Sequence, residues 1–434
     1  MEEYSKYKPS GIEWIGDIPK NWNFVSCRLI VSERNERNKG MKNNNYLSLM
    51  ANIGVIPYEE KGDIGNKKPE NLEKCKIVYE GDLIINSMNY FIGSYGISKY
   101  DGICSPVYIV LYANTKVIEP RFAFRVFENP KFQGVAQSFG NGILEHRRAI
   151  NWDILKNIKI PVPLLEEQRN ILSFLDKKTE KIDALISDKE KLIKLLREYR
   201  QSIISETVTK GLDKKVQMKH SGIEWIGDIP YDWKVNKFNR IIIRVSTGLN
   251  PRNNFKLGDG DCYYVTIKNF KKGKLFLDEK CDRMTKEALN IINERSDLKI
   301  DDILFSSIGE EAEAYLISEH PTNWNINESV FTIRVNKDLV LPNFFYYLIA
   351  NKSFFNDLLK DATGSTFKSI KINSLIEKKV PVPSLKTQKE IANLLDDKTE
   401  KIDNLIENIT KQIKKLQEYR KSIIGEAVTG KAAI

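Results

Sequence analysis

Two stretches of the chain keep apolar side chains on one helical face for much longer than an ordinary helix. From Leu165 to Thr207 there is no Pro or Gly, and apolar residues recur at intervals of three and four. One track runs Leu175, Ile182, Lys189, Leu196 and Ile203; the other runs Ile171, Lys178, Leu185, Leu192 and Tyr199. Both tracks return later, as Leu395, Ile402, Ile409, Leu416, Ile423 and as Ile391, Lys398, Leu405, Gln412, Tyr419. As a and d positions of a heptad they predict two helices of about 43 residues, each roughly 64 Å long at about 1.5 Å per residue. Helices of that length outrun a small domain and are expected to pair as a coiled coil. The predicted seam sets Leu175, Ile182, Leu185, Leu196, Tyr199 and Ile203 against Leu395, Ile402, Leu405, Leu416, Tyr419 and Ile423. Lys178, Lys189, Lys398 and Gln412 are its polar positions, which limit other registers. The second helix is reached only after a whole intervening domain, so an antiparallel pair with an internal pseudo-two-fold is the economical arrangement.

The pattern is part of a larger duplication. Ser10-Gly-Ile-Glu-Trp-Ile-Gly-Asp-Ile-Pro19, followed by Trp22, returns as Ser221-Gly-Ile-Glu-Trp-Ile-Gly-Asp-Ile-Pro230, followed by Trp233. The stretch from Pro161-Val-Pro163 to Thr209 returns as Pro381-Val-Pro383 to Thr429, with 29 of 49 positions identical. Between them, Asn23–Ile160 and Lys234–Val380 share almost nothing. Both variable segments mix short β-branched or aromatic runs with Gly and Asn breaks. Cys75–Asn86 reads as strand, turn, strand; Tyr263–Ile267 and Ser329–Val335 read as strands. Pro120–Phe127 and Pro342–Ala350 read as helices begun by their prolines. The expected fold is α+β: mixed domains over 1–160 and 211–380, joined by long helices over 161–210 and 381–434.

Charge narrows the partner. Lys and Arg total 68 against 58 for Asp and Glu, a formal +10, which suits a polyanion although it is spread thinly. Five separated cysteines and three histidines offer neither a disulfide framework nor a metal-ligand spacing. The polar start of the chain is no signal peptide, and no apolar run is long enough to span a membrane, so a reduced, cytoplasmic protein is expected. There is no Gly-x-x-x-x-Gly-Lys-[Ser/Thr] phosphate loop. The nearest thing to an Asn-Pro-Pro-[Tyr/Phe] methyltransferase tetrapeptide, Asn250-Pro-Arg-Asn, lacks the second Pro and the ring. No catalytic constellation, metal site or cofactor site is expected.

Basic and amide side chains gather instead in predicted loops. In the first variable domain they are Arg34, Arg37, Lys39, Lys42, Asn44, Asn89 with Tyr90, and Arg147 with Arg148. In the second they are Thr247, Asn250, Arg252, Asn253, Lys268, Lys271, Ser306, Ser365, Thr366 and Lys368. Arg and Lys neutralise phosphates, while Arg, Asn and Ser match base edges in the major groove, so these residues are candidates for DNA contact.

The duplicated Ser-Gly-Ile-Glu-Trp-Ile-Gly-Asp-Ile-Pro and the Ile160–Gln168 lead into the first helix resemble the DNA-specificity (S) subunits of type I restriction–modification enzymes. The matching lead Val380–Gln388 keeps its Gln but loses the acidic pair Glu166-Glu167. The resemblance implies a non-catalytic subunit with two target recognition domains, each binding one half of a split site in double-stranded DNA. It implies helices that set the spacer and dock two methylation subunits, which carry S-adenosylmethionine. Restriction subunits, where present, would supply ATP-driven translocation and cleavage. Two other readings fit parts of the pattern. A fused restriction–methylation enzyme lacks its catalytic motifs, and a coiled-coil scaffold leaves the variable loops and the basic excess without a purpose.

Overall fold

In the computed structural model of this chain the described residues are 6–432, apart from 13, 65–66, 141–148, 272, 310–312 and 363–368. They form two compact units, Met1–Lys189 with Thr410–Ile434, and Glu190–Ile409. Each long helix therefore begins in one unit and ends in the other.

The duplicated decapeptide makes the same hairpin twice. Strand Tyr7–Pro9 pairs with Asp17–Pro19, and Met218–His220 pairs with Asp228–Pro230. The turn is capped by Ser10, whose Oγ accepts from the Ile12 N–H at 3.1 Å; Ser221 does the same for Ile223. Gly16 and Gly227 both take φ +70, a left-handed conformation that glycine adopts without a Cβ penalty. The motif's apolar positions, Ile15, Ile18 and Trp22 with their counterparts Ile226, Ile229 and Trp233, are all buried.

Each variable segment starts and ends on one ribbon. Asn23–Ser26 pairs antiparallel with Lys159–Val162, and Lys234–Lys237 pairs with Lys379–Val382. Above the ribbon, the two segments build the same antiparallel sheet despite their unlike sequences. In the first unit the order is Val31–Glu33, Tyr108–Ala113, Leu83–Asn86, Tyr95–Ile97; in the second it is Ile242–Thr247, Val330–Val335, Ile303–Ser306, Ala314–Leu316. The elaborations differ. The second unit adds a sheet of Asp282–Met284, Cys262–Val265 and Trp324–Ile326, while the first adds the hairpin Leu47–Met50 with Gly54–Pro57. The expected helices are present as Pro120–Glu128 and Pro342–Ile349. Cys75–Asn86 is strand, turn, strand as expected, but its strands do not pair with each other: Lys76–Val78 pairs with Gly102–Cys104, whereas Leu83–Asn86 joins the four-stranded sheet.

The long helices span Leu165–Lys210 and Leu385–Val428. In the first unit, Ile171 and Leu175 from the start of one helix share a core with Ile424, Ala427 and Val428 from the end of the other. In the second unit, Ile391 and Leu395 share a core with Ile204 and Val208. Each fully buried aliphatic side chain contributes roughly 1.5–3 kcal/mol, so both helix ends are anchored in the domain core. Within each unit the paired segments run antiparallel. Arg420 meets Asp183 at 2.9 Å while Lys189 donates to Gln412 at 2.6 Å, and Arg200 meets Asp403 at 3.2 Å.

One predicted track holds, and the other holds at Ile171 and Ile391 and is displaced by a residue from Lys178 and Lys398 onward. Leu175, Ile182, Leu196, Ile203, Leu395, Ile402, Leu416 and Ile423 face inward, buried or half-buried. The second inward row is Thr179, Ile186, Ile193, Arg200, Thr207 and Thr399, Ile406, Ile413, Arg420, Ala427. Leu185, Tyr199, Leu405 and Tyr419 are 50%, 55%, 46% and 53% exposed, and Lys178 and Lys398 face outward with them. In the first helix the outward row, with Leu185, Leu192 and Tyr199, looks the more apolar in sequence; in the second it does not, since Ile406, Ile413 and Ala427 face inward. The inward row accommodates polar members in two ways: Thr179 and Thr399 donate to the carbonyls of Leu175 and Leu395, and Arg200 and Arg420 sit against the carboxylates above.

Candidate nucleic-acid interface

The invariant frame under each variable segment is set by one glutamine. Gln168 is fully buried; its Nε2 donates to the carbonyls of Pro163 at 2.9 Å and Val117 at 3.0 Å, and its Oε1 accepts from the Glu119 N–H at 2.8 Å. Gln388 repeats all three bonds with Pro383, Leu339 and Leu341. Glu119 and Leu341 are the residues that cap the helices Pro120–Glu128 and Pro342–Ile349. The glutamine thus ties the long helix to the strand before it and to the helix capping the variable segment. Glu167 has a separate task, accepting from the Trp22 indole N–H at 2.8 Å. Thr387 takes its position in the second copy and bonds within its own turn, its N–H donating to Ser384.

The candidate DNA-contacting residues separate by environment. Lys39, Asn44, Arg252, Asn253, Lys268 and Lys271 are exposed in loops or at strand ends. Lys42 is exposed and pairs with Glu36 at 3.2 Å. Arg37 is half-buried and donates to the Lys74 carbonyl. Asn89 lines a cavity of about 200 Å³ with Tyr46, Ser48, Lys61, Asn86 and Ser94. Lys61 carries no sequence signal of its place here, since its chain neighbours are Glu59, Glu60 and Asp63 and the amides beside it come from elsewhere in the chain. Its ammonium is engaged, donating to the Ile64 carbonyl at 2.6 Å above the ring of Tyr58. Arg147, Arg148, Ser365, Thr366 and Lys368 lie outside the described residues, as does His146.

In the second unit the Thr247–Arg252 loop has a defined course. At Gly248 a Cβ would stand 1.7 Å from the Ile326 carbonyl oxygen, so only glycine lets the chain cross there. The Tyr264 hydroxyl then donates to the Leu249 carbonyl at 2.8 Å, and Asn254 bonds back to the Asn250 carbonyl at 2.9 Å. Thr247 accepts from Arg295 at 3.3 Å. The exposed Arg252 and Asn253 stand at the tip.

Three candidates belong to the fold. Arg34 grips Asp82 with both forks, at 2.7 and 3.0 Å, between the rings of Tyr79 and Tyr112. This bond raises the Arg34 pKa further and takes up its planar donors. Tyr90 is buried, its hydroxyl donating to the Phe127 carbonyl, and burial pushes its pKa well up. Ser306 is 1% exposed at the end of a central strand. Their sequence neighbourhoods, rich in Asn and Gly, mark loop ends without showing which side chains turn inward.

Among the described residues no His, Cys, Asp and Glu cluster could hold a metal, and no helix is long and apolar enough to cross a membrane. The five cysteines are buried and free.

Comparison with known proteins fits this architecture. A specificity subunit of the type I restriction enzyme MjaVIII from Methanocaldococcus jannaschii is 26% identical over 394 residues, covering 88% of this chain and 87% of that one. The EcoBI specificity subunit of Escherichia coli is 22% identical over 288 residues, covering 64% and 59%. A chain solved in work on complex assembly and conformational transition of the type I R-M system superposes with a TM-score of 0.69 at 16% identity, covering 95% and 98%. The family model for the type I restriction modification DNA specificity domain matches twice, over residues 20–195 and 230–415. The two matches coincide with the two ribbon-and-glutamine frames, and this chain therefore belongs to the type I restriction–modification DNA specificity family.

Proposed function

We propose that the chain reads a split site in double-stranded DNA, one half with each variable segment, and that its helices set the spacer between the halves. As a member of its family it is a target-recognition subunit without catalysis of its own. One observation carries the finer reading: two different loop sets stand on one duplicated frame, down to the three bonds of Gln168 and Gln388. A frame repeated so closely under unlike loops serves two separate readings better than one. Arg37, Lys39, Lys42, Asn44 and Asn89 in the first unit, and Thr247, Asn250, Arg252, Asn253, Lys268 and Lys271 in the second, are the proposed contacts.

The helices offer a surface for partners. Leu185 and Tyr419 in the first unit, and Leu192, Tyr199 and Leu405 in the second, are apolar and exposed on the outward rows, and Leu195 is exposed one turn from Leu192. Exposed apolar side chains clustered along one helix face can serve as a contact surface, and we assign them to two methylation subunits. Those subunits would bring S-adenosylmethionine, and restriction subunits would bring ATP-driven cleavage. The test is sequence-resolved DNA binding by the chain with its methylation subunits, over a series of salt concentrations. A bipartite motif with salt-dependent affinity is expected; binding to all sequences alike would overturn the reading.

A further inference from the structure

The three-stranded sheet of the second unit carries an arginine that stands outside the Asn- and Gly-rich loops, Arg283. Arg283 lies on the edge strand Asp282–Met284, directly opposite Tyr263 on Cys262–Val265. Its guanidinium carbon sits 3.8 Å from the centre of the Tyr263 ring, and both side chains are partly exposed. None of its N–H groups meets an acceptor among the described residues, although the exposed Asp282 is its neighbour in sequence. Arg34 and Arg334 provide the contrast. Arg34 also lies against tyrosine rings, but Asp82 closes its fork, and Arg334 is closed by Asp302 at 2.7 Å through two nitrogens.

The platform under Arg283 is rigid. Its carbonyl accepts from the Gly258 N–H at 2.9 Å, and at Gly260 a Cβ would stand 2.2 Å from the Met284 carbonyl oxygen. Met284 is buried with Cys262, Tyr264, Ala288, Leu289 and Ile292 on the other side of the sheet. Tyr263 rims a second small core together with Ile267 and Leu275, and these residues carry the turn and hairpin that expose Lys268, Lys271 and Lys274. The turn and hairpin thus add exposed ammonium groups to the same sheet, whose exposed acids Asp261, Asp278 and Asp282 leave the Arg283 guanidinium unpaired among the described residues.

A stacked guanidinium keeps its charge and presents parallel donors in one plane, with little rotamer freedom left to lose on binding. Its complement is a pair of coplanar acceptors, supplied by N7 and O6 of guanine in the major groove or by two phosphate oxygens. Lysines serve the phosphate as point charges, whereas the fixed plane adds selectivity only at a base. We propose that Arg283, held on Tyr263, reads a guanine in the half-site bound by the second unit. The assignment rests on the split-site reading above.

The experiment uses the full chain with its methylation subunits and sequence-resolved binding at several salt concentrations, comparing wild type with R283A, R283K, Y263L and K271A. R283A should weaken specific binding by about 5- to 150-fold and abolish the guanine preference at one position of one half-site. R283K should keep the salt slope yet lose the same preference, and Y263L should weaken that preference while the other half-site stays intact. K271A should weaken all sequences alike. If R283A weakens all sequences alike and lowers the salt slope by about one, Arg283 contacts a phosphate and the assignment is overturned. Unchanged binding and preference in R283A overturn it while the split-site reading stands. A wild-type complex with no sequence preference overturns both.

Discussion

The backbone of Gly430 lies across Trp22, so close that a Cβ there would stand 2.3 Å from Cδ of Pro19 and 3.3 Å from the indole ring. Gly430 takes φ +70, and the Tyr7 hydroxyl donates to its carbonyl at 3.2 Å. Gly211 stands in the same relation to Trp233, with φ +78 and 3.2 Å to the ring. In sequence the two glycines are not aligned, since Lys210-Gly211 faces Gly430-Lys431. In space the order is restored: the Lys431 ammonium lies near Gly16 and the Lys210 ammonium near Gly227. Substituting alanine forces a left-handed Cβ against a buried ring and a proline. G430A and G211A should each cost roughly 1–3 kcal/mol, read as a lower denaturation midpoint of the affected unit.

The glutamine frame makes a sharper demand. Q168A or Q388A leaves one buried carbonyl, and a part-buried carbonyl and N–H, without their partner. At roughly 1–3 kcal/mol for a group left unsatisfied, either variant should lose at least about 2 kcal/mol in urea titration. The loss should be similar at the two sites, because their bond sets are the same. A neutral result at either would show that water replaces the side chain.

These two elements also show how far the sequence could be read. The Pro-x-Pro followed five residues later by Gln was legible as a repeat because both copies need the same three bonds. The proline-begun helices and the first heptad track were legible because one local signal sets each. The second track was not, because Thr179, Arg200 and Thr207 face inward while Leu185, Leu192 and Tyr199 face outward. Hydrophobic periodicity alone reverses that choice, since the polar members are held by backbone bonds and by a carboxylate 203 residues away in sequence, Asp403 from Arg200. The ion pair of Arg34 hides in the same way, its partner Asp82 being 48 residues on. The common sheet order of the two variable segments was invisible because strand topology survives without residue identity.

Alkaline pH should destabilise the fold. Burial raises the thiols of Cys27, Cys75, Cys104 and Cys281 above their ordinary value near 9.0, Cys281 to about 11, and raises the Tyr95 hydroxyl from 10.0 to about 12. The unfolded chain releases these protons first, so each group's stabilisation is complete below its ordinary value and is lost as pH rises above it. The free energy of unfolding should fall from about pH 9 through 12 in denaturant titrations. In the native chain at pH 8 the same burial should make thiol labelling much slower than in denaturant.

The outward apolar rows separate folding from assembly. Leu192 and Leu405 are exposed and make no part of either domain core. L192E and L405E should therefore change stability by no more than about 0.5 kcal/mol. If those rows seat the methylation subunits, both variants should fail to co-purify with them while the chain alone remains folded. Retained co-purification would place the docking surface elsewhere.

The ribbon at the base of each variable segment sets the last expectation. Asn23–Ser26 and Lys159–Val162 are hydrogen-bonded neighbours, with Phe24 opposite Pro161 and Val25 opposite Ile160. A segment that enters and leaves on adjacent strands is replaceable without moving the frame, provided its ends keep the ribbon's register. Exchanging the stretch 23–160 for that of another family member should then leave the bonds of Gln388 and its unit untouched. Methylation mapping of the reassembled complex should show a new sequence in one half of the site and the old sequence in the other. The exchange has a physical limit, because Val117 and Glu119 supply two of the three partners of Gln168 and lie inside the exchanged stretch. An incoming segment that cannot offer a carbonyl and an N–H there should fold poorly, whereas one that offers both should fold and read its own half-site. A change in both half-sites from a well-folded exchange would refute independent reading.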